Sequence, residues 1–131
     1  AGRISNIVTT PGTLTLDIRF GSTVVFNGAA MALNTTAKTN VSWQMDTLLV
    51  CRAIGQGTLT QLFGMGSFLS ESVFGSAVGA ANAAMLPATA PAVGTGFDST
   101  AAQAFDLFGT WSISNAANSI QLHQLLIELV N

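Results

Sequence analysis

Leu14-Thr15-Leu16-Asp17-Ile18-Arg19-Phe20 decides the fold class. Apolar and polar side chains alternate without a break, so Leu14, Leu16, Ile18 and Phe20 share one face and Thr15, Asp17 and Arg19 the other. Successive side chains of an extended chain point to opposite sides, whereas a helix would scatter these apolar residues around its circumference. The stretch therefore predicts a half-buried β-strand, with Asp17 and Arg19 placed to pair on its polar face. Pro11-Gly12 ahead of it is turn chemistry, and Ile4 to Thr9 predicts an earlier strand.

The same period continues outward. Gly21-Ser22 separates this strand from Thr23 to Phe26. Asn27-Gly28, set between Val24-Val25-Phe26 and Ala29 to Leu33, predicts a tight hairpin, because a type I′ turn needs positive φ at both central residues. Asn34 to Asn40 is small and polar and predicts a loop. From Val41 to Arg52, Val41, Trp43 and Met45 face one way and Ser42, Gln44 and Asp46 the other. Leu48-Leu49-Val50 is then apolar on both faces, the pattern of a strand covered on both sides.

Thr58 to Glu71 predicts a long strand, in which Gly64 and Gly66 mark a bulge, a bend or a close backbone approach. Ser72 to Phe97 predicts a loop with one short strand. Asp98 predicts the cap of a short helical turn over Ser99 to Ala104. Gln103 to Ile113 alternates again, Asn115 to Asn118 is a turn, and Ser119 to Val130 predicts a closing strand that returns along it as a hairpin. About eight strands with regular turn signals make an all-β, antiparallel sandwich or barrel. The length gives a single domain over residues 1–131.

Composition narrows the function classes. The only charged side chains are Arg3, Asp17, Arg19, Lys38, Asp46, Arg52, Glu71, Asp98, Asp106 and Glu128, 8% of the chain; soluble domains average about 25%. Four scattered cations cannot form the basic stripe that phosphate backbones demand, so nucleic acid is not an expected partner. A membrane is not expected either, because Ser72 to Phe97 is mostly Ala and Gly and is broken by Pro87 and Pro91. So neutral a surface suits a protein that packs against copies of itself or a larger body.

Signals for chemistry are weak. No phosphate-binding glycine loop, nucleophile elbow or paired metal-ligand spacing occurs in the sequence. Cys51 is expected as a small buried hydrophobe, and His123 as a half-buried structural residue on the closing strand. Asp98 and Asp106 would suit paired-carboxylate work, but capping and solvent exposure account for them more simply. Trp43 and Trp111 would serve as sugar-stacking platforms if exposed, although both fall in phase with aliphatic neighbours and so predict core packing. Asn34-Thr35-Thr36 and Asn40-Val41-Ser42 match the glycosylation sequon by composition. We expect no enzyme, cofactor or metal.

Pro11 to Gly21, Thr39-Asn40-Val41-Ser42-Trp43, Thr100 to Leu107 with Thr110-Trp111-Ser112, and the ending Ile120 to Glu128 together resemble small all-β structural proteins of tailed bacteriophages. Head decoration or cement proteins and domains of tail fibres or spikes are of this kind. The resemblance implies a sandwich or jelly roll, a homotrimer, and a place on the virion surface against a major capsid or other virion protein. It also implies additional sequence ahead of Ala1-Gly2-Arg3-Ile4, so an N-terminal strand or capsid-anchoring arm is expected to be missing.

Within that frame the uncharged loop from Ser72 to Phe97 is the expected subunit or partner interface, through Ala80, Ala83, Met85, Pro87, Pro91 and Phe97. The Asn34 to Asn40 loop is expected to join it. Two other functions fit the residues. One is a glycan- or receptor-binding module that stacks sugars on Trp43 or Trp111. The other is an extracellular filament subunit that completes its sheet with a neighbour's strand.

Overall fold

In a computed structural model of the chain, which describes residues 1–6, 9–73, 82–87 and 93–129, nine strands form two antiparallel sheets packed as a β-sandwich. The strands are β1 (Gly2–Asn6), β2 (Thr13–Phe20), β3 (Thr23–Ala32), β4 (Lys38–Ala53), β5 (Gln61–Ser70), β6 (Ala83–Leu86), β7 (Val93–Thr95), β8 (Phe105–Trp111) and β9 (Ser119–Leu122). The larger sheet runs β6-β5-β4-β1-β9, with β7 also on β5; the smaller runs β3-β2-β8. The chain changes sheets after β1, β3, β7 and β8, so neither sheet is one continuous meander. Among the described residues there is no helix.

The inward face of β2 is as read, whereas its polar face is itself largely covered, Asp17 being buried. Leu14, Leu16 and Ile18 are buried, and Phe20 packs edge-on against Phe97 with ring centroids 5.0 Å apart. Asp17 and Arg19 form an ion pair at 3.3 Å, and the Arg19 guanidinium lies 3.9 Å above the Phe108 ring. From the other sheet, Trp43 stacks on Phe68 and meets this layer in the core. Each large side chain buried here stabilises the sandwich by about 1.5–3 kcal/mol.

Several elements differ from their sequence reading. Asn27-Gly28 is not a turn. The hairpin turns at Gly21-Ser22, where Gly21 has φ 58, and β3 runs on through Asn27-Gly28 as a bulge. Thr15 pairs with Ala30 and Asp17 with Asn27, so Leu16 faces two residues of β3. Gly64 and Gly66 stay in regular register with Leu49 and Thr47. Their glycines mark close approach: a Cβ on Gly64 would lie 2.4 Å from the Phe26 ring.

β8 and β9 are not a hairpin. β8 pairs with β2, whereas β9 pairs with β1 in the opposite sheet and ends at Leu122. Alternation reports which side chains face inward and is blind to which sheet supplies the strand, so both placements satisfy the same pattern. Ser72 to Phe97 contributes two short strands, β6 beside residues 66–69 of β5 and β7 beside residues 61–63. Ser99-Thr100 is a simple turn without a helical continuation.

Candidate assembly interface

The outward face of the larger sheet follows from its register. On β4, Trp43 and Leu49 face the core, so Gln44, Asp46, Leu48 and Val50 face away. Their cross-strand partners on β5 are Leu69, Ser67, Met65 and Phe63. Ser67 and Leu69 pair in turn with Met85 and Ala83 of β6, and Phe63 with Val93 of β7. The result is an apolar surface at whose centre Leu48 is 63% and Met85 64% exposed, with Val50, Met65 and Leu69 also exposed. Leu48-Leu49-Val50 is therefore covered on one side only, contrary to its sequence reading. Asp46, hydrogen-bonded by the Gln44 amide at 2.9 Å, lies within this face, in one cross-strand row with Ser67 and Met85.

The expected interface residues separate. Ala83 and Met85 lie on β6, are exposed and belong to this surface; Pro87 follows them, partly exposed. Phe97 does not belong to it. Only 7% exposed, it is held in the core by Phe20, because the chain re-enters the sandwich after β7. Ala80 and Pro91 lie outside the described residues. The Asn34 to Asn40 loop is tied to its own chain: Asn34 is buried, donates to the Glu71 carbonyl at 3.3 Å and accepts from the Thr36 N–H at 2.9 Å. Lys38 pairs with Glu71 at 3.2 Å.

The two tryptophans also divide. Trp43 is 3% exposed, and its indole N–H donates to the Arg3 and Gln121 carbonyls at 3.2 and 3.1 Å. It has no free face for a sugar and instead ties β1 and β9 to β4. Trp111 is half-buried at the end of β8, in a shallow groove with Phe108, Gly109, Thr110, Ile113, Ser114 and Asn115.

The remaining polar candidates are dispersed. Cys51 is an exposed free thiol rather than a buried one, directed at the Ala53 carbonyl at 3.4 Å. His123 is exposed beyond the end of β9, 3.3 Å from the Gln121 side chain. Asp98 is committed to a loop clamp: it accepts from the Gly57 N–H at 2.9 Å, from the Thr100 N–H at 2.8 Å and from the Thr100 hydroxyl. These donors, the Thr100 hydroxyl foremost, hold its carboxyl below the ordinary value of 3.8. Asp106 is exposed on β8, opposite Arg19 of β2. Among the described residues no three His, Cys, Asp or Glu side chains gather as a metal site, and no helix is long and apolar enough to cross a membrane.

No family model matches the chain, and no curated protein or solved structure is significantly similar to it.

Proposed function

We propose that the chain is a structural virion protein, a capsid decoration or stabilising subunit that assembles with copies of itself on a larger protein shell. The observation that carries this reading is the apolar outer face of the larger sheet, centred on Leu48, Met65 and Met85. Contiguous exposed apolar surface on a soluble domain marks an interaction site. Leu48-Leu49-Val50 has the sequence of a strand covered on both sides, and a neighbouring subunit supplies the second cover.

The magnitudes favour multiple contacts. Leu48, Val50, Met65, Leu69 and Met85 are each about half exposed, so covering the rest of them offers about 4–8 kcal/mol, against about 4–15 kcal/mol of association cost. One such contact leaves little surplus, so the reading is of a subunit gripped by several neighbours in a lattice. The resemblance to phage structural proteins over Pro11 to Gly21 and Ile120 to Glu128 supplies the setting, a virion surface. A glycan-binding reading retains only Trp111, whose groove also offers the Ser114 and Asn115 side chains.

The test is to add the purified protein to phage capsids stripped of it. Retention on the capsid and a higher heat resistance, both indifferent to free sugars, are expected. Failure to be retained, with a saturable tryptophan-fluorescence change on adding an oligosaccharide, would replace this reading with the glycan module. Polymerisation of the isolated protein into filaments would replace it with the filament subunit.

A further inference from the structure

The C-terminal segment after β9 is the least satisfied part of the described chain. Leu125 is 53% exposed, Leu126 73%, Ile127 56% and Leu129 93%. In an extended chain Leu125, Ile127 and Leu129 share one face, with Leu126 and Glu128 on the other. Among the described residues no backbone group of Leu125–Leu129 has a backbone partner. The segment leaves β9 from a fixed point. The Ala1 carbonyl accepts from the His123 and Gln124 N–H groups at 3.0 Å, and the Ala1 amino group donates to the Gln124 carbonyl at 2.9 Å.

The same molecule carries an unfilled strand site. Among the described residues β8 is an edge strand, bonded only to β2. The Gly21 N–H donates to the Ala104 carbonyl at one end of that ladder, and the Ser112 N–H to the Thr13 carbonyl at the other. By alternation, Phe105, Leu107, Gly109 and Trp111 turn their own N–H and C=O groups to the open edge. Their side chains face the core, yet Phe105, Leu107 and Trp111 are only half-buried. Gly109, between Leu107 and Trp111, is exposed, and a Cβ built on it would meet Leu14, Leu16 and Ile120 at 3.5–3.9 Å. The inward face of β8 is therefore only partly covered.

We propose that the Leu125–Leu129 arm of one copy adds to the β8 edge of a second copy, seating Leu125, Ile127 and Leu129 beside the half-buried Leu107 and Trp111. Five extended residues span about 17 Å, within the roughly 23 Å of the seven-residue β8. The added strand supplies the missing backbone partners and covers the half-buried Leu107 and Trp111, the way an extended peptide completes an exposed sheet edge. One copy gives an arm and receives another, so the contact is head-to-tail. Such contacts close into rings, a trimer among them. The proposal rests on the reading of this chain as an assembling subunit.

The experiment compares the full chain with a version ending at Gln124 and with Ile127→Asp. Both variants are expected to keep the circular-dichroism melt of the full chain but to associate at least about tenfold more weakly in sedimentation. A synthetic peptide of residues 123–131 should bind the truncated chain and shift its tryptophan emission. That shift should disappear with Trp111→Phe, and an Ile127→Asp peptide should give none. Assembly unchanged by truncation, yet lost with Leu48→Lys, would overturn the arm while leaving the assembling subunit intact. A peptide that neither binds nor shifts the emission would overturn it as well.

Discussion

At the scale of single residues, Asp98 has the clearest local role. Its carboxylate joins the Gly55 to Gly57 turn to the start of the segment leading into β8, beside the Ser99 N–H and hydroxyl contacts to the Gly55 carbonyl at 3.2 Å. Sequence reading placed Asp98 as a cap, and capping chemistry is what it performs, but the donors come from Thr100 and from the distant Gly57. The Thr100 part was legible, because Asp two residues ahead of an N–H is a local motif. The Gly57 part was not, because nothing local brings residues 57 and 98 together. Since the folded carboxyl titrates below 3.8, the clamp contributes fully above that value and is lost as pH falls through the lowered one. Asp98→Ala is therefore expected to melt below the wild type near pH 7, with the gap closing in strong acid. Melting curves across that range check this, and a gap independent of pH would contradict it.

At the scale of elements, β3 shows how one signal serves two structures. Asn-Gly announces a backbone that must leave the ordinary strand region, which a hairpin turn and a bulge both require. Here the demand falls on Ala29, at φ 60, whose N–H donates to the Asn27 side-chain carbonyl at 2.8 Å. A left-handed residue with a Cβ costs about 1–2 kcal/mol. Ala29→Gly is expected to relieve it and raise stability by about 1 kcal/mol, read as a higher urea midpoint at unchanged slope. Turn and bulge were not separable in sequence, because Gly21-Ser22 had already supplied a turn and only pairing with β2 decides which of the two closes the hairpin. Trp43 illustrates the opposite case: its phase with Val41 and Met45 predicted a core position, and the core is where it sits.

At the scale of the whole molecule, the apolar outer face and the thinness of the charge belong together. Leu48 and Met85 make few contacts in the isolated subunit, so replacing both with Lys changes its stability by no more than about 0.5 kcal/mol each. Association through that face is expected to fall steeply, since each Lys must be desolvated on contact. Sedimentation beside a thermal melt separates the two effects. Lost assembly at an unchanged melting temperature is the expected result, and unchanged assembly would remove the outer face from the interface.

Sequence alone determined that this chain is antiparallel β, which faces of β2, β4 and β8 turn inward, and that Asp17 would meet Arg19. Those are consequences of a two-residue period and of side chains close in the chain. Tertiary structure decided that β8 and β9 lie in opposite sheets, that Phe97 returns to the core, and that Leu48 and Val50 are left bare. The reason is physical: alternation fixes on which side a residue lies, but only the pairing of distant strands fixes what covers that side.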